Sequence, residues 1–215
     1  MKKVLFVSAH ADDAIVAVGG IISHYIKNDW DVHYLAFSIA EDSVPEGFDK
    51  NVVEKECRKA TRFLGIPQKD LLIEHFKVRT FPTYRQDILE MLVKFRKDID
   101  PDVVFAPSTH DIHQDHEVVC NETIRAFMRS SSIYGYDFPW NVLYEKKLNL
   151  FFELDENLLN KKIRALQFFK SQINKHNNCL TPDYIRSLAI ERGNRINVRY
   201  AEASEVIREI KRMKE

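Results

Sequence analysis

Two short stretches of this chain gather side chains that bind metals or move protons. The first, Ala9-His10-Ala11-Asp12-Asp13, sets one imidazole and two carboxylates within four residues. The second, His110-Asp111-Ile112-His113-Gln114-Asp115-His116, packs three of the chain's eight histidines and two aspartates into seven residues. Neutral imidazoles with one carboxylate, leaving a fourth position to water, describe a catalytic zinc site. No cysteine lies near either stretch, which argues against a closed structural site. Plainer readings exist. Aspartates at a helix start often only cap it, but capping needs neither a second aspartate nor a histidine ahead of the first. His110 reads as an ordinary satisfied or surface histidine.

The elements that must position these residues follow from periodicity. Val4-Leu5-Phe6-Val7 is a short apolar run, a buried strand ending just before His10. Ile15, Val18, Ile22 and Ile26 recur at spacings of three and four, predicting a helix from Ala14 to Ile26. Strands are predicted at Val32–Phe37, Leu71–Ile73 and Val103–Ala106, and helices at Val52–Leu64 and Thr83–Asp98. Gly65 and Pro67 stop the first of these helices, and residues 40–49 form a polar loop. Strands alternating with helices predict an α/β fold, a Rossmann-like, mostly parallel sheet flanked by helices, in one domain spanning residues 1–215. Both chemical stretches then follow the C-terminal end of a strand, where open α/β sheets keep their ligand crevice. Ser130 to Trp140 reads as an aromatic loop that plugs the core or closes over the site. Ala201 to Met213 reads as a final amphipathic helix.

Composition excludes several classes of partner. Lysine plus arginine and aspartate plus glutamate number 32 each, so no basic surface calls for nucleic acid or an anionic membrane. No stretch approaches the ~20 apolar residues that cross a bilayer. Cys57, Cys120 and Cys179 are far apart and lack CxxC spacing, a usage suited to a reducing compartment. A cytoplasmic protein acting on a small molecule is expected. The dinucleotide fingerprint GxGxxG is missing, because Gly19-Gly20 falls inside the first helix pattern rather than in the turn before it.

The two motifs resemble those of the PIG-L/LmbE family of zinc-dependent N-deacetylases, which carry an AHPDDE-like motif after the first strand and HPDH after a later one. This chain has Ala9-His10-Ala11-Asp12-Asp13-Ala14 and His113-Gln114-Asp115-His116. The likeness continues in Pro101-Asp102-Val103-Val104, Ala165-Leu166, Ser171-Gln172, Arg192-Gly193 and Tyr200-Ala201-Glu202-Ala203. It implies His10, Asp13 and His116 as zinc ligands and Asp12 as general base. It also implies that His113, protonated, faces the developing oxyanion and leaving group, with Asp115 as the partner that tunes His113. Glu202 faces the site by the same resemblance, and the implied substrate is an N-acetylated amino sugar or sugar conjugate. Ala11 stands where the family has proline, Ala14 where it has glutamate, and Ser204 where the closing motif often has phenylalanine. Arg79 and Arg85, flanking Phe81-Pro82, are either substrate-binding or solvated surface arginines. A metal-free Rossmann-like binding protein and a non-catalytic scaffold are the competing readings.

Overall fold

The computed structural model describes residues 1–142, 147–173 and 180–212. Strands β1 (Lys3–His10), β2 (Asp31–Ser38), β3 (Leu71–Ile73), β4 (Val103–Pro107) and β5 (Ser132–Tyr136) alternate with helices α1 (Asp13–Lys27), α2 (Val52–Leu64), α3 (Arg85–Ile99) and α4 (Gln114–Phe127). Strand β6 (Leu150–Glu153), helices α5 (Glu156–Leu166), α6 (Lys170–Ile173) and α7 (Pro182–Asn194), and strand β7 (Ala201–Arg208) follow. They form one seven-stranded sheet in the order β3-β2-β1-β4-β5-β7-β6. Strands β1 to β5 run parallel, and β7 runs antiparallel to both β5 and β6.

The run at Val4–Val7 explains the layers. Successive strand residues face opposite sides, so a strand covered on both faces must be apolar throughout. Val4 and Phe6 join a core with α1 and α2, while Leu5 and Val7 join a second core with α3 and α4; all four are fully buried. Sequence order reverses between β1 and β4, which pair in register at Val4↔Val103 through Phe6↔Phe105. That reversal opens a crevice beyond their C-terminal ends, where His10 closes β1 and the His110–His116 segment follows β4.

Two expectations are corrected. Ala201–Arg208 is a strand, not a helix; residues 209–212 have no regular secondary structure, and Met213 lies outside the described residues. Two glutamates of this strand are buried and bonded: Glu202 receives the Gly20 and Ile21 N–H groups, and Glu205 receives Thr109. Likewise the middle of Ser130–Trp140, Ser132–Tyr136, is the buried strand β5 rather than a loop. Gly135 is needed there, because a Cβ would lie 2.9 Å from the Ser108 Cα on β4's exit loop. Cys57 and Cys120 are buried free thiols, and Cys179 lies outside the described residues.

Candidate metal centre

The turn between β1 and α1 is held by hydroxyls. Ser8 Oγ donates to Tyr34 Oη (3.1 Å), Tyr34 Oη donates to the Ala11 carbonyl (3.1 Å), and the Ala14 N–H donates to Ser8 Oγ (3.3 Å). This chain of bonds fixes a turn that lacks proline at Ala11. Ala14 is fully buried in the core. Asp12 occupies the N-cap position, yet its side chain makes no capping bond; it lines the pocket instead. Asp13 turns back on the turn, its Oδ2 accepting the His10 N–H at 2.7 Å.

Three atoms from the two stretches meet. His10 Nδ1 and His116 Nε2 are 3.3 Å apart, His116 Nε2 lies 3.3 Å from Asp13 Oδ2, and His10 Nδ1 lies 3.6 Å from the same oxygen. Bonds of 2.0–2.1 Å to a tetrahedral zinc separate ligand atoms by about 3.4 Å. The triangle therefore fits one small divalent cation without rearrangement, and its donors are two imidazole nitrogens and one carboxylate oxygen.

Each histidine's other nitrogen is held by a carboxylate. His10 Nε2 donates to Asp115 Oδ2 at 3.0 Å, and His116 Nδ1 donates to Asp111 Oδ2 at 2.7 Å. Such partners fix ring orientation and tautomer in metal sites. The Asp115 carboxylate holds His10 and accepts the Arg79 and Phe81 N–H groups at 2.6 and 3.3 Å, and its charge also acts on His113, the expected partner, in the direction that raises that imidazole's pKa. Only its backbone touches His113, donating N–H to Nδ1 at 3.2 Å. Asp111 is a functional candidate that the sequence reading passed over.

Electrostatics agree with a cation site. Burial pulls the His10 imidazole down, but the Asp13 carboxylate and bonds to Asp115 and Asp13 outweigh it and carry His10 up to about 9. For His116, burial is likewise outweighed by Asp13 and by its bond to Asp111, and it rises to about 10. Burial would raise Asp13, yet His116 and His10 hold it well below the usual carboxylate range. The pocket thus keeps positive charge among its carboxylates, a place a divalent cation takes by displacing protons.

His113 behaves differently. Burial, then its neighbours His116 and His10, lower its pKa. Its Nδ1 accepts a backbone N–H as the N-cap of α4. In its neutral form His113 therefore carries its proton on Nε2 and presents a donor there. The ligand-capable atoms of His10, His113 and His116 also lie within 4.8 Å of one another. Asp13 brings a carboxylate oxygen 3.3 Å from His116 Nε2 and 3.6 Å from His10 Nδ1, and His113 stands beside that set.

These groups face a cavity of about 380 Å³, walled by Val16, Val53, Val78, Phe138, Trp140 and Leu180, with Arg79, Asn141 and Gln172 among its polar groups. Phe138 is buried with its ring 5.3 Å from that of His116, whereas Trp140 is 42% exposed at the rim. The segment Ser130–Trp140 thus both fills the core and walls the site. Arg79 lines the cavity and donates to Ser43 Oγ at 3.2 Å. Arg85 points elsewhere and pairs with buried Glu122. His110 lies 3.5 Å from Glu205, outside the cluster. Glu202 does not reach the site; it is buried against α1 and Lys162. A second group, Asp31, His33 and Asp70, is half-buried at the opposite ends of the strands.

Comparison with known proteins places this arrangement. Diacetylchitobiose deacetylase of Thermococcus kodakarensis is 27% identical over 224 aligned residues, covering 94% of this chain and 82% of the relative. The inhibitor-bound N,N'-diacetylchitobiose deacetylase of Pyrococcus horikoshii superposes with a TM-score of 0.78 at 21% identity, over 96% of this chain and 84% of that one. GalB, the 4-carboxy-2-hydroxymuconate hydratase of Pseudomonas putida, superposes equally well, with a TM-score of 0.78 at 20% identity over 100% and 99% of the two chains. The same fold therefore serves an amide hydrolase and a hydratase, and the fold alone does not decide the reaction. The PIG-L model, described as GlcNAc-PI de-N-acetylase, matches residues 5–127, more than half of the sequence and both chemical stretches. On that match this chain belongs to the PIG-L, GlcNAc-PI de-N-acetylase, family.

Proposed function

We propose that this protein is a zinc-dependent hydrolase that removes the N-acetyl group from an amino sugar or sugar conjugate. The observation that carries the reading is the triangle of His10 Nδ1, Asp13 Oδ2 and His116 Nε2, with edges of 3.3 to 3.6 Å, open to a cavity on one side. The family match and the chitobiose deacetylase relative favour amide hydrolysis over hydration. Zinc bound here supplies a Lewis acid and makes water acidic enough to attack near neutral pH.

The protein's own groups have separable tasks. Asp12, on the cavity wall and not spent on capping, takes the proton from the attacking water as general base, and a proton passes to the nitrogen as the C–N bond breaks and the amine leaves. His113 Nε2–H donates to the oxygen of the amide as negative charge develops on it. Asp111 and Asp115 keep His116 and His10 turned toward the cation. Phe138 and Trp140 offer ring faces to a sugar, and Arg79, Asn141 and Gln172 offer polar groups to its hydroxyls.

The whole chain, residues 1–215, works as one domain in this reading, and its substrate is a small molecule rather than nucleic acid or a membrane. No helix among the described residues is long and apolar enough to cross a membrane. The buried free thiols of Cys57 and Cys120 support a cytoplasmic setting.

Metal analysis of the purified protein, with an acetate-release assay on N,N'-diacetylchitobiose and other acetamido sugars, tests the proposal. One zinc per chain and zinc-dependent release of acetate with a free amine are expected. Zinc-loaded protein that releases no acetate from any of them refutes the activity.

A further inference from the structure

Helix α1, which begins with Asp13, is not continuous. Val18 has φ −135° and ψ 30°, and the helix kinks there into a short first turn, Asp13–Ala17, and a longer second segment. In an unbroken α-helix the Ile21 N–H donates to the Ala17 carbonyl. Here an ion pair engages both groups. Ile21 N donates to Glu202 Oε2 at 2.7 Å, Gly20 N donates to Glu202 Oε1 at 3.0 Å, and Lys162 Nζ donates to the Ala17 carbonyl at 3.1 Å. Lys162 and Glu202 meet at 2.7 Å and are 3% and 1% exposed. The carboxylate thus sits at the N-terminus of the second segment and the ammonium at the C-terminus of the first, each at the helix end that favours its charge.

The glycine pair belongs to the same device. A Cβ on Gly19 would lie 2.9 Å from Lys162 Cγ; one on Gly20 would lie 2.8 Å from Leu154 Cδ1 and 3.1 Å from Glu202 Oε2. Gly19-Gly20 lets α5 and β7 bring the two charges against the broken backbone. A single helical turn is unstable alone, yet this one carries Asp13 and the cavity residue Val16.

We infer that the buried Lys162–Glu202 pair, seated against Gly19-Gly20, is a positioning device that fixes the Asp13–Ala17 turn and so aims the Asp13 carboxylate at His10 and His116. This rests on the metal reading of Asp13. Neither residue lines the substrate cavity; both act through the turn.

The test measures zinc affinity by competition with a chromophoric chelator, and hydrogen exchange of residues 13–17 in zinc-free protein. The variants are Lys162→Met, Glu202→Gln and Gly20→Ala, with Phe127→Leu in the distant second core as a control for destabilisation. Each of the three should weaken zinc binding by about tenfold or more, the scale for losing a group that orients a ligand, and speed exchange in residues 13–17. Phe127→Leu should lower Tm without either effect. Gly20→Ala is the sharpest arm, since it keeps both charges and inserts the better helix former, and it guards against a charge variant that fails to fold. Variants that bind zinc as wild type does, while losing Tm like Phe127→Leu, overturn the positioning role alone. Wild-type protein that takes up no zinc overturns the metal reading and this inference together.

Discussion

Asp111 gives the most informative single perturbation of the centre. Its side chain is fully buried and collects three donors on two oxygens: His116 Nδ1–H on Oδ2 at 2.7 Å, the Asn141 amide on the same oxygen at 3.3 Å, and the His113 N–H on Oδ1 at 2.9 Å. Asp111→Asn keeps the shape but turns one of those oxygens into an NH₂ group. The amide must then point a donor at a donor, whichever way it is flipped. If it faces His116, the ring loses the partner that presents Nε2 to the cation. Losses of this kind cost 10–100-fold in metal affinity, or about 1.4–2.7 kcal/mol. If it faces the His113 N–H instead, the start of α4 loosens and zinc affinity holds while Tm falls. Competition against a chromophoric chelator at pH 7.5, alongside a melting curve of the zinc-free protein, separates the two. We expect the second result for Asp111→Asn, because the amide keeps its oxygen on His116, where the 2.7 Å bond is the shorter and charge-assisted one, and the 10–100-fold loss for Asp111→Ala, which leaves His116 Nδ1 no acceptor. Zinc affinity equal to wild type in Asp111→Ala would refute the claim that Asp111 orients a ligand.

Asp12→Ala should retain zinc and lose about 10²–10⁴-fold in kcat, the usual worth of a general base, whereas His116→Ala should lose zinc itself; equal zinc loss in both would break this division of labour. Zinc binding at pH 7.5 should expel roughly two protons, since His10 and His116 sit near 9 and 10 before the cation arrives. Calorimetric heats that do not vary with the buffer's ionisation enthalpy would contradict it. Both folded-state values lie above the ordinary 6.5, so the stability these imidazoles lend the zinc-free protein is full below pH 6.5 and is lost as pH rises through about 9 to 10; a flat Tm between pH 6.5 and 10 would count against the ion pairs. Trp140→Ala should raise KM for an acetamido sugar several-fold and leave kcat nearly unchanged, because the ring stands at the rim; an unchanged KM would leave Trp140 a purely structural neighbour of Phe138.

The parallel half of the fold was legible because its signals are local. Val52–Leu64 and Leu71–Ile73 have the boundaries that periodicity gave them, and the breakers Gly65 and Pro67 fall where the chain leaves α2. The last strand was not legible. Val206, Ile207 and Ile210 recur at helical spacing, and only the tertiary partners of Glu202 and Glu205 show why polar residues sit inside a sheet. The site followed the same division. The two dense stretches pointed to His10, Asp12, Asp13, His113 and His116, all of which face one cavity. Which carboxylate holds which ring could not be read from spacing: Asp115 bonds the histidine 105 positions away, and Asp111, not Asp115, holds His116. Gly19-Gly20 excluded a dinucleotide fingerprint in the sequence, but its positive role depends on Lys162 and Glu202 arriving from α5 and β7.

Zinc-edge anomalous diffraction from crystals of the zinc-loaded protein shows whether the two stretches grip a single cation. One strong peak is expected, bonded to His10 Nδ1, an Asp13 carboxylate oxygen and His116 Nε2 at about 2.0–2.2 Å. A zinc-loaded crystal with no peak among these three atoms, or with its peak on Asp31, His33 and Asp70 instead, would contradict it.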